Sequence, residues 1–317
     1  MKTMKNVGRL KSVSSLLLAF VLILGSCSKS DEFVLSSTDI QNLNAESISD
    51  AEADDANDMS SIAVGNVDQT QFSGGRMEGR TEGNGLIVPI IPWANLDNRL
   101  KCAVITINRT NTAGSRPTGI ITIDFDSNST CTDARGNSRK GKIIIEYAGF
   151  RFLAGSTIKT TFNGYIKNGI KVDGIHTLAN VTPSTGLTSF PKFLVTIAGG
   201  KLTLADGKTI TRDQIFTREW QRASNPTQDK WVILKGSTAN GKNKNDKAYT
   251  MEVTADLVYS RACAISDKVF IPVSGTKVFT SEGKVFTVDY GTGNCDNDIT
   301  VTMNGVSKVI TVSKDNI

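Results

Sequence analysis

Ile121-Thr-Ile-Asp-Phe-Asp-Ser-Asn-Ser-Thr-Cys131 alternates apolar and polar residues, runs into a polar turn and closes on a cysteine. A period of two marks a strand with one buried face, because successive side chains leave the pleat on opposite sides. The pattern returns as Phe286-Thr-Val-Asp-Tyr-Gly-Thr-Gly-Asn-Cys295. Each copy has a second cysteine upstream, Cys102 at 29 residues and Cys263 at 32, so the chain reads as two related β units over about 100–148 and 261–312.

Outward from these stretches, strand signals run to the end of the chain. They include Lys142–Ala148, Thr157–Ile166, Ile170–Leu178, separate runs at Lys192–Ile197 and Lys201–Leu204, Thr209–Arg218 and Tyr249–Tyr259. Between runs stand Asn168-Gly169, Asp206-Gly207, Glu282-Gly283 and Asn304-Gly305, the turn chemistry of short hairpins. Hairpins in series pair neighbouring strands antiparallel. The fold expected is all-β: antiparallel meander sheets packed as a sandwich or a partly closed barrel. Ile143, Ile145 and Tyr147 should share the buried face, with Ile158, Phe162 and Ile166 on the next strand.

The N-terminus is an address. Lys2, Lys5, Arg9 and Lys11 precede an apolar run from Leu16 to Leu24, about half of the ~20 residues needed to span a bilayer. Leu24-Gly25-Ser26-Cys27 has the form of a bacterial lipobox, so residues 1–26 read as a lipoprotein signal peptide and Cys27 as the acylated first mature residue. The other four cysteines allow three connectivities. The internal echo selects Cys102–Cys131 and Cys263–Cys295, and an exported chain favours disulfides over zinc, which the spacing does not suit.

Asp31 to Asp58 holds nine acids and no Lys or Arg, whereas residues from 59 onward carry 31 basic and 22 acidic side chains. Residues 27–85 therefore read as an acidic, mostly disordered tether, with a short surface helix around Ile40, Leu43, Ile48 and Ala51 and a glycine-rich end. Residues 86–317 read as a β-rich body whose basic side chains, scattered singly along strands, serve solubility first, with anionic polysaccharide or phospholipid headgroups as the alternative partners. Leu86-Ile-Val-Pro-Ile-Ile-Pro-Trp93 reads as an extended segment docking on that body.

The segments Thr122-Ile-Asp-Phe125, Cys131-Thr-Asp-Ala-Arg-Gly-Asn-Ser-Arg-Lys-Gly-Lys-Ile-Ile-Ile145, Phe162-Asn-Gly-Tyr-Ile-Lys-Asn-Gly169, Thr217-Arg-Glu-Trp220 and Asp289-Tyr-Gly-Thr-Gly-Asn-Cys-Asp-Asn-Asp298 resemble a group of uncharacterised β-rich outer-membrane lipoproteins of the Bacteroidota. The likeness spans about residues 100–312 and departs at Asp126, where the group has glycine. It implies an exported, β-rich lipoprotein and assigns no activity.

Candidate chemistry is sparse. Asp124, Asp126, Asn128 and Asp133 form an oxygen-rich run that could supply Ca²⁺ ligands, without the glycine and glutamate of an EF-hand loop. His176 is the only histidine, and no G-x-S-x-G elbow accompanies it. Glu219 is the first carboxylate to consider for a glycosidase pair, or else an outward partner of Arg212 or Arg218. Trp93, Trp220 and Trp231 are aromatics able to stack on sugar rings. There is no dinucleotide or P-loop motif, and basic residues are not interleaved with aromatics, so neither a cofactor nor nucleic acid is expected.

The expectation is a non-enzymatic binding or structural protein held at the outer membrane or cell surface by its lipid, with a polysaccharide or another surface protein as partner. Three alternatives stay open: a carbohydrate-active hydrolase using paired carboxylates, a periplasmic lipid or lipoprotein carrier with an apolar β cavity, and a fimbrial subunit with a displaceable edge strand.

Overall fold

The computed structural model describes residues 36–72, 97–111, 116–126, 131–133, 136–183 and 190–312. The signal segment, Cys27, the apolar stretch at 86–93 with Trp93, and Asn128 lie outside the described residues.

A long helix, α1 (Ser37–Phe72), and a 3-10 turn (Asn98–Leu100) precede the strands. These are β1 (Val104–Asn111), β2 (Thr118–Asp124), β3 (Cys131–Thr132), β4 (Ser138–Ala148), β5 (Thr157–Lys167), β6 (Ile170–Asn180), β7 (Lys192–Thr203) and β8 (Thr209–Gln221). After a second 3-10 turn follow β9 (Lys230–Ile233), β10 (Thr238–Lys242) and β11 (Ala248–Ser260). A short helix, α2 (Arg261–Ser266), leads to β12 (Ser274–Ser281), β13 (Lys284–Thr292), β14 (Asp298–Met303) and β15 (Val306–Thr311).

All fifteen strands belong to one antiparallel sheet in meander order, β1-β2-β4-β5-β6-β7-β8-β10-β11-β12-β13-β14-β15, with β3 beside β4 and β9 between the upper parts of β8 and β11. The all-β antiparallel class expected from the alternation is what the chain adopts. Three of the expected two-residue turns have φ > 0 at both positions: Asn168-Gly169, Glu282-Gly283 and Asn304-Gly305. Asp206-Gly207 differs. Only Gly207 is left-handed there: Leu204 N–H donates to the Lys208 carbonyl at 2.8 Å across a three-residue loop, while Gly207 N–H donates to the Leu204 carbonyl at 2.9 Å.

Bulges bend the strands. Gly141 (φ +77°) shifts the register of β4 against β5, and Gly174 (φ +125°) does so between β6 and β7. A further irregularity joins 192–197 and 201–204 into the single strand β7, where the sequence suggests two. The slip in β5 also changes which side chains face inward. Ile158 is buried as expected, but past the slip Tyr165 is buried instead of Ile166.

The inward face lies on α1. Between Asp39, which meets Lys284 of β13, and Asp55, which meets Arg139 of β4, the helix advances about 24 Å. Eight strand-to-strand steps separate β4 from β13, about 38 Å of sheet if flat. The sheet therefore curls around the helix as a trough.

This helix corrects the expected tether over 37–72. Its buried positions include Asp39, Asn42, Glu46, Ser49, Ala53, Ala56, Ser60, Ala63 and Val67, three or four apart. The helical period is written largely in polar residues, so hydrophobic spacing marks only a short surface helix around Ile40 to Ala51 and misses both its extent and its buried face. Ser36 and Asp39 cap the start reciprocally: Asp39 N–H donates to Ser36 Oγ at 3.2 Å and Ser36 N–H to Asp39 Oδ2 at 3.0 Å. Met59, Ala63, Val64 and Val67 then join the same apolar core as Ile121, Ile123, Ile143 and Phe279.

The pairings Cys102–Cys131 and Cys263–Cys295 are the disulfides of the structure. Among the described residues no helix is long and apolar enough to cross a membrane.

Candidate binding site at the loop end of the trough

Short tight turns cap one end of the strands, and longer connections the other. At the longer-loop end, Trp220 near the close of β8 and Trp231 near the start of β9 are cross-strand partners. Their rings stack at 5.4 Å and 17°. Phe152, from the β4–β5 connection, lies 5.5 Å from Trp220, and Phe193 of β7 lies 6.4 Å from Trp231. The chain of rings climbs from buried Phe193 to Phe152, which is 50% exposed.

Two guanidinium groups border the rings. Arg151 sits 5.1 Å from the Phe152 centroid and Arg222 5.5 Å from that of Trp220. Each contact stabilises by about 0.5–1 kcal/mol at such a surface. Trp220 is fixed by its indole N–H, which donates to Asp229 Oδ2 at 3.1 Å, while Ala223 N–H donates to the other oxygen at 2.9 Å. The site offers a half-exposed phenyl ring with one guanidinium over it and a second over the neighbouring indole, a pairing of aromatic surface and positive charge suited to a sugar that carries an acidic substituent. Of the expected tryptophans, Trp220 and Trp231 are brought together but stack on each other. The exposed ring is Phe152, which the sequence marks only as one apolar residue in a loop.

The remaining candidates disperse. Asp124 pairs with Lys142 at 2.7 Å, Asp126 accepts the Gly141 N–H at 2.7 Å, and Asp133 is buried against Arg139 at 3.1 Å. They do not converge on a calcium site, and among the described residues no group of three or more His, Cys, Asp or Glu could hold a metal. His176 is buried edge-on to Phe162 at 5.0 Å, and burial drives its pKa down to about 4. The adjoining cavity, bordered by Ser49, Ala53 and Arg212, measures about 20 Å³, room for about one water.

Glu219 pairs with Lys192 at 3.2 Å and accepts from Gln221 at 2.8 Å. It is not the partner of Arg212 or Arg218, because both turn inward to α1: Arg212 Nη2 meets Asp50 at 2.6 Å and Arg218 Nη2 meets Asp54 at 2.9 Å. The trough is also not the apolar cavity that a lipid carrier needs, since α1 fills it and buried Arg139, Arg212 and Lys277 line it. Sequence reasoning missed these inward cations, which lie scattered singly along strands and gain a common direction only when the sheet curls.

Comparison with protein-family models, with curated proteins and with solved structures finds no match.

Proposed function

We propose that this chain is an exported, lipid-anchored envelope protein, of the Bacteroidota lipoprotein type that it resembles, which binds polysaccharide without chemically altering it. The observation that carries the binding role is the half-exposed Phe152 ring, packed at a 38° tilt against Trp220, with Arg151 over the phenyl ring and Arg222 over the indole. Two closed disulfides support an oxidising compartment. With Cys27 acylated, ten residues reach the start of α1, a span of at most about 35 Å.

Titration calorimetry of the purified protein against acidic and neutral polysaccharides tests the binding role. Binding that weakens about tenfold in Phe152→Ala and in Arg222→Glu, one hot-spot contact each, is the expected result. Polysaccharide cleavage, or binding indifferent to both variants, overturns it. Metabolic labelling with palmitate, present in the natural sequence and lost in Cys27→Ala, tests the anchor.

A further inference from the structure

The acids of α1 form a line. Glu46, Asp50, Asp54 and Asp58 recur every four residues, about 6 Å apart, and the helix holds eight acids and no Lys, Arg or His. Facing them across the trough are Lys284, Lys277, Arg212, Arg218, Lys167 and Arg139, drawn from five strands. Each meets a carboxylate of α1 within 4 Å: Lys284–Asp39 at 2.8 Å, Lys277–Glu46 at 2.9 Å, Arg212–Asp50 at 2.6 Å, Arg218–Asp54 at 2.9 Å, Lys167–Glu52 at 3.0 Å and Arg139–Asp55 at 2.6 Å.

The two parts of the helix are held differently. Met59, Ala63, Val64 and Val67 give the later part an apolar seat, whereas the only fully buried apolar side chains before it are Ala45, Ala53 and Ala56. The earlier part sets Leu43 and Ile48, partly buried, against the core, but apart from the alanines its fully buried side chains are polar, Asp39, Asn42, Glu46 and Ser49, and ion pairs supply much of its hold. Buried ion pairs add little net stability over apolar contacts, because desolvation offsets most of the attraction. Losing a partner outright is costly, but exchanging one anion for another leaves the buried cations satisfied. A second polyanion can therefore compete with residues 37–58 in a way that no neutral molecule can.

We infer that the floor of the trough beneath residues 37–58 is an anion-binding site that α1 covers, and that its ligand is a linear acidic polysaccharide. This rests on the binding role proposed above and extends it inward. Arg218 is two residues from Trp220 on the same side of β8, so a chain seated at Phe152 and Trp220 meets Arg218 next and then Arg212. Spacing of about 6 Å between the acids of α1 matches one charge per sugar or so, and is wider than the charge spacing of polyphosphate. The ligand displaces residues 37–58 while Met59–Val67 keep their seat.

Hydrogen exchange of the full chain, with polygalacturonate as the probe and dextran and polyphosphate as controls, tests this. Polygalacturonate is expected to speed exchange across 37–58 by about tenfold or more, leave 59–67 unchanged, and have no counterpart with dextran. Joining α1 to β12 through an Asn42→Cys/Ser281→Cys cross-link, where Nδ2 and Oγ are 2.5 Å apart, should weaken polygalacturonate binding about tenfold. Asp50→Asn/Asp54→Asn, which loosens the cover, should strengthen it. Unchanged exchange together with equal binding by the cross-linked protein overturns the covered site. If Phe152→Ala still weakens binding in that case, the rim role stands and only the trough falls. Opening by polyphosphate alone overturns the assigned ligand.

Discussion

Glu46 of α1 and Lys277 of β12 are 231 residues apart in sequence and meet as a buried ion pair, Nζ to Oε2 at 2.9 Å, with side chains 2% and 9% exposed. Lys277→Met leaves Glu46 facing only Arg212, at 3.8 Å. Removing one partner of a buried pair costs about 3–5 kcal/mol, and the surviving Arg212 contact reduces this to about 2–3 kcal/mol. The double variant Glu46→Met/Lys277→Met should recover part of that loss. Urea unfolding midpoints decide it, and a neutral Lys277→Met would mean that charge does not hold the helix in place.

The disulfides sit toward the two open edges of the sheet. Cys102–Cys131 ties the lead-in of β1 to β3, and Cys263–Cys295 ties α2 to the β13–β14 loop. β1 and β15 each have a single neighbouring strand, so these ends should open first. Replacing either pair by alanine is expected to lower stability by about 3 kcal/mol in the chain-entropy account, read as a fall in Tm. Peptide mapping should recover the same two pairs, and a Cys102–Cys263 peptide would refute them.

Alternation along 142–148 and 157–160, the asparagine-glycine turns and the cysteine echo expose the sheet to a reader of the sequence, because each is a local signal. The helix is not exposed in that way. Its inward residues are Asp39, Asn42, Glu46 and Ser49, which look like a solvated segment until cations more than a hundred residues away are placed opposite them. Hydrophobic period detects a helix that buries oil, and the first part of α1 buries charge. The candidate site escapes for a related reason: Trp220 and Trp231 are visible as tryptophans, but Phe152 joins them only through a loop whose course the strands decide.

Gly141 of β4 stands opposite a bulge in β5, where Gly164 and Tyr165 face this one residue. Its φ is +77°, and a Cβ there would lie 2.1 Å from the carbonyl oxygen of Gly164 on the paired strand. Neither the left-handed backbone nor the neighbouring main chain can yield cheaply. Gly141→Ala is therefore expected to cost on the order of 2–4 kcal/mol. Gly136→Ala, also left-handed at φ +84° but with open space around it, should cost less. Equal losses in denaturant titrations would show that backbone strain alone, without the close approach, accounts for the effect.

Two groups whose titration the fold shifts in opposite senses, half-buried Asp50 and buried His176, pull stability in opposite directions between pH 7 and 4. Burial pushes Asp50 up to about 7 against the attraction of Arg212, so the folded state binds a proton in that interval that the unfolded chain, with a pKa near 3.9, does not. Its contribution rises as pH falls from 7 to 4. His176 is the reverse: burial holds it near 4 while the unfolded imidazole titrates near 6.5, so its contribution falls across the same interval. Asp55 adds a third effect lower down. Burial opposes its ionisation, but the hydrogen bond and charge of Arg139 hold it at about 2, and the stability it supplies above pH 4 is lost on further acidification. Asp50→Asn should therefore make Tm drop as pH is lowered from 7 to 4, and His176→Gln should make it climb, with both variants falling below pH 4. Variants whose profiles run parallel to the natural protein from pH 7 to 4 would remove both groups from the account.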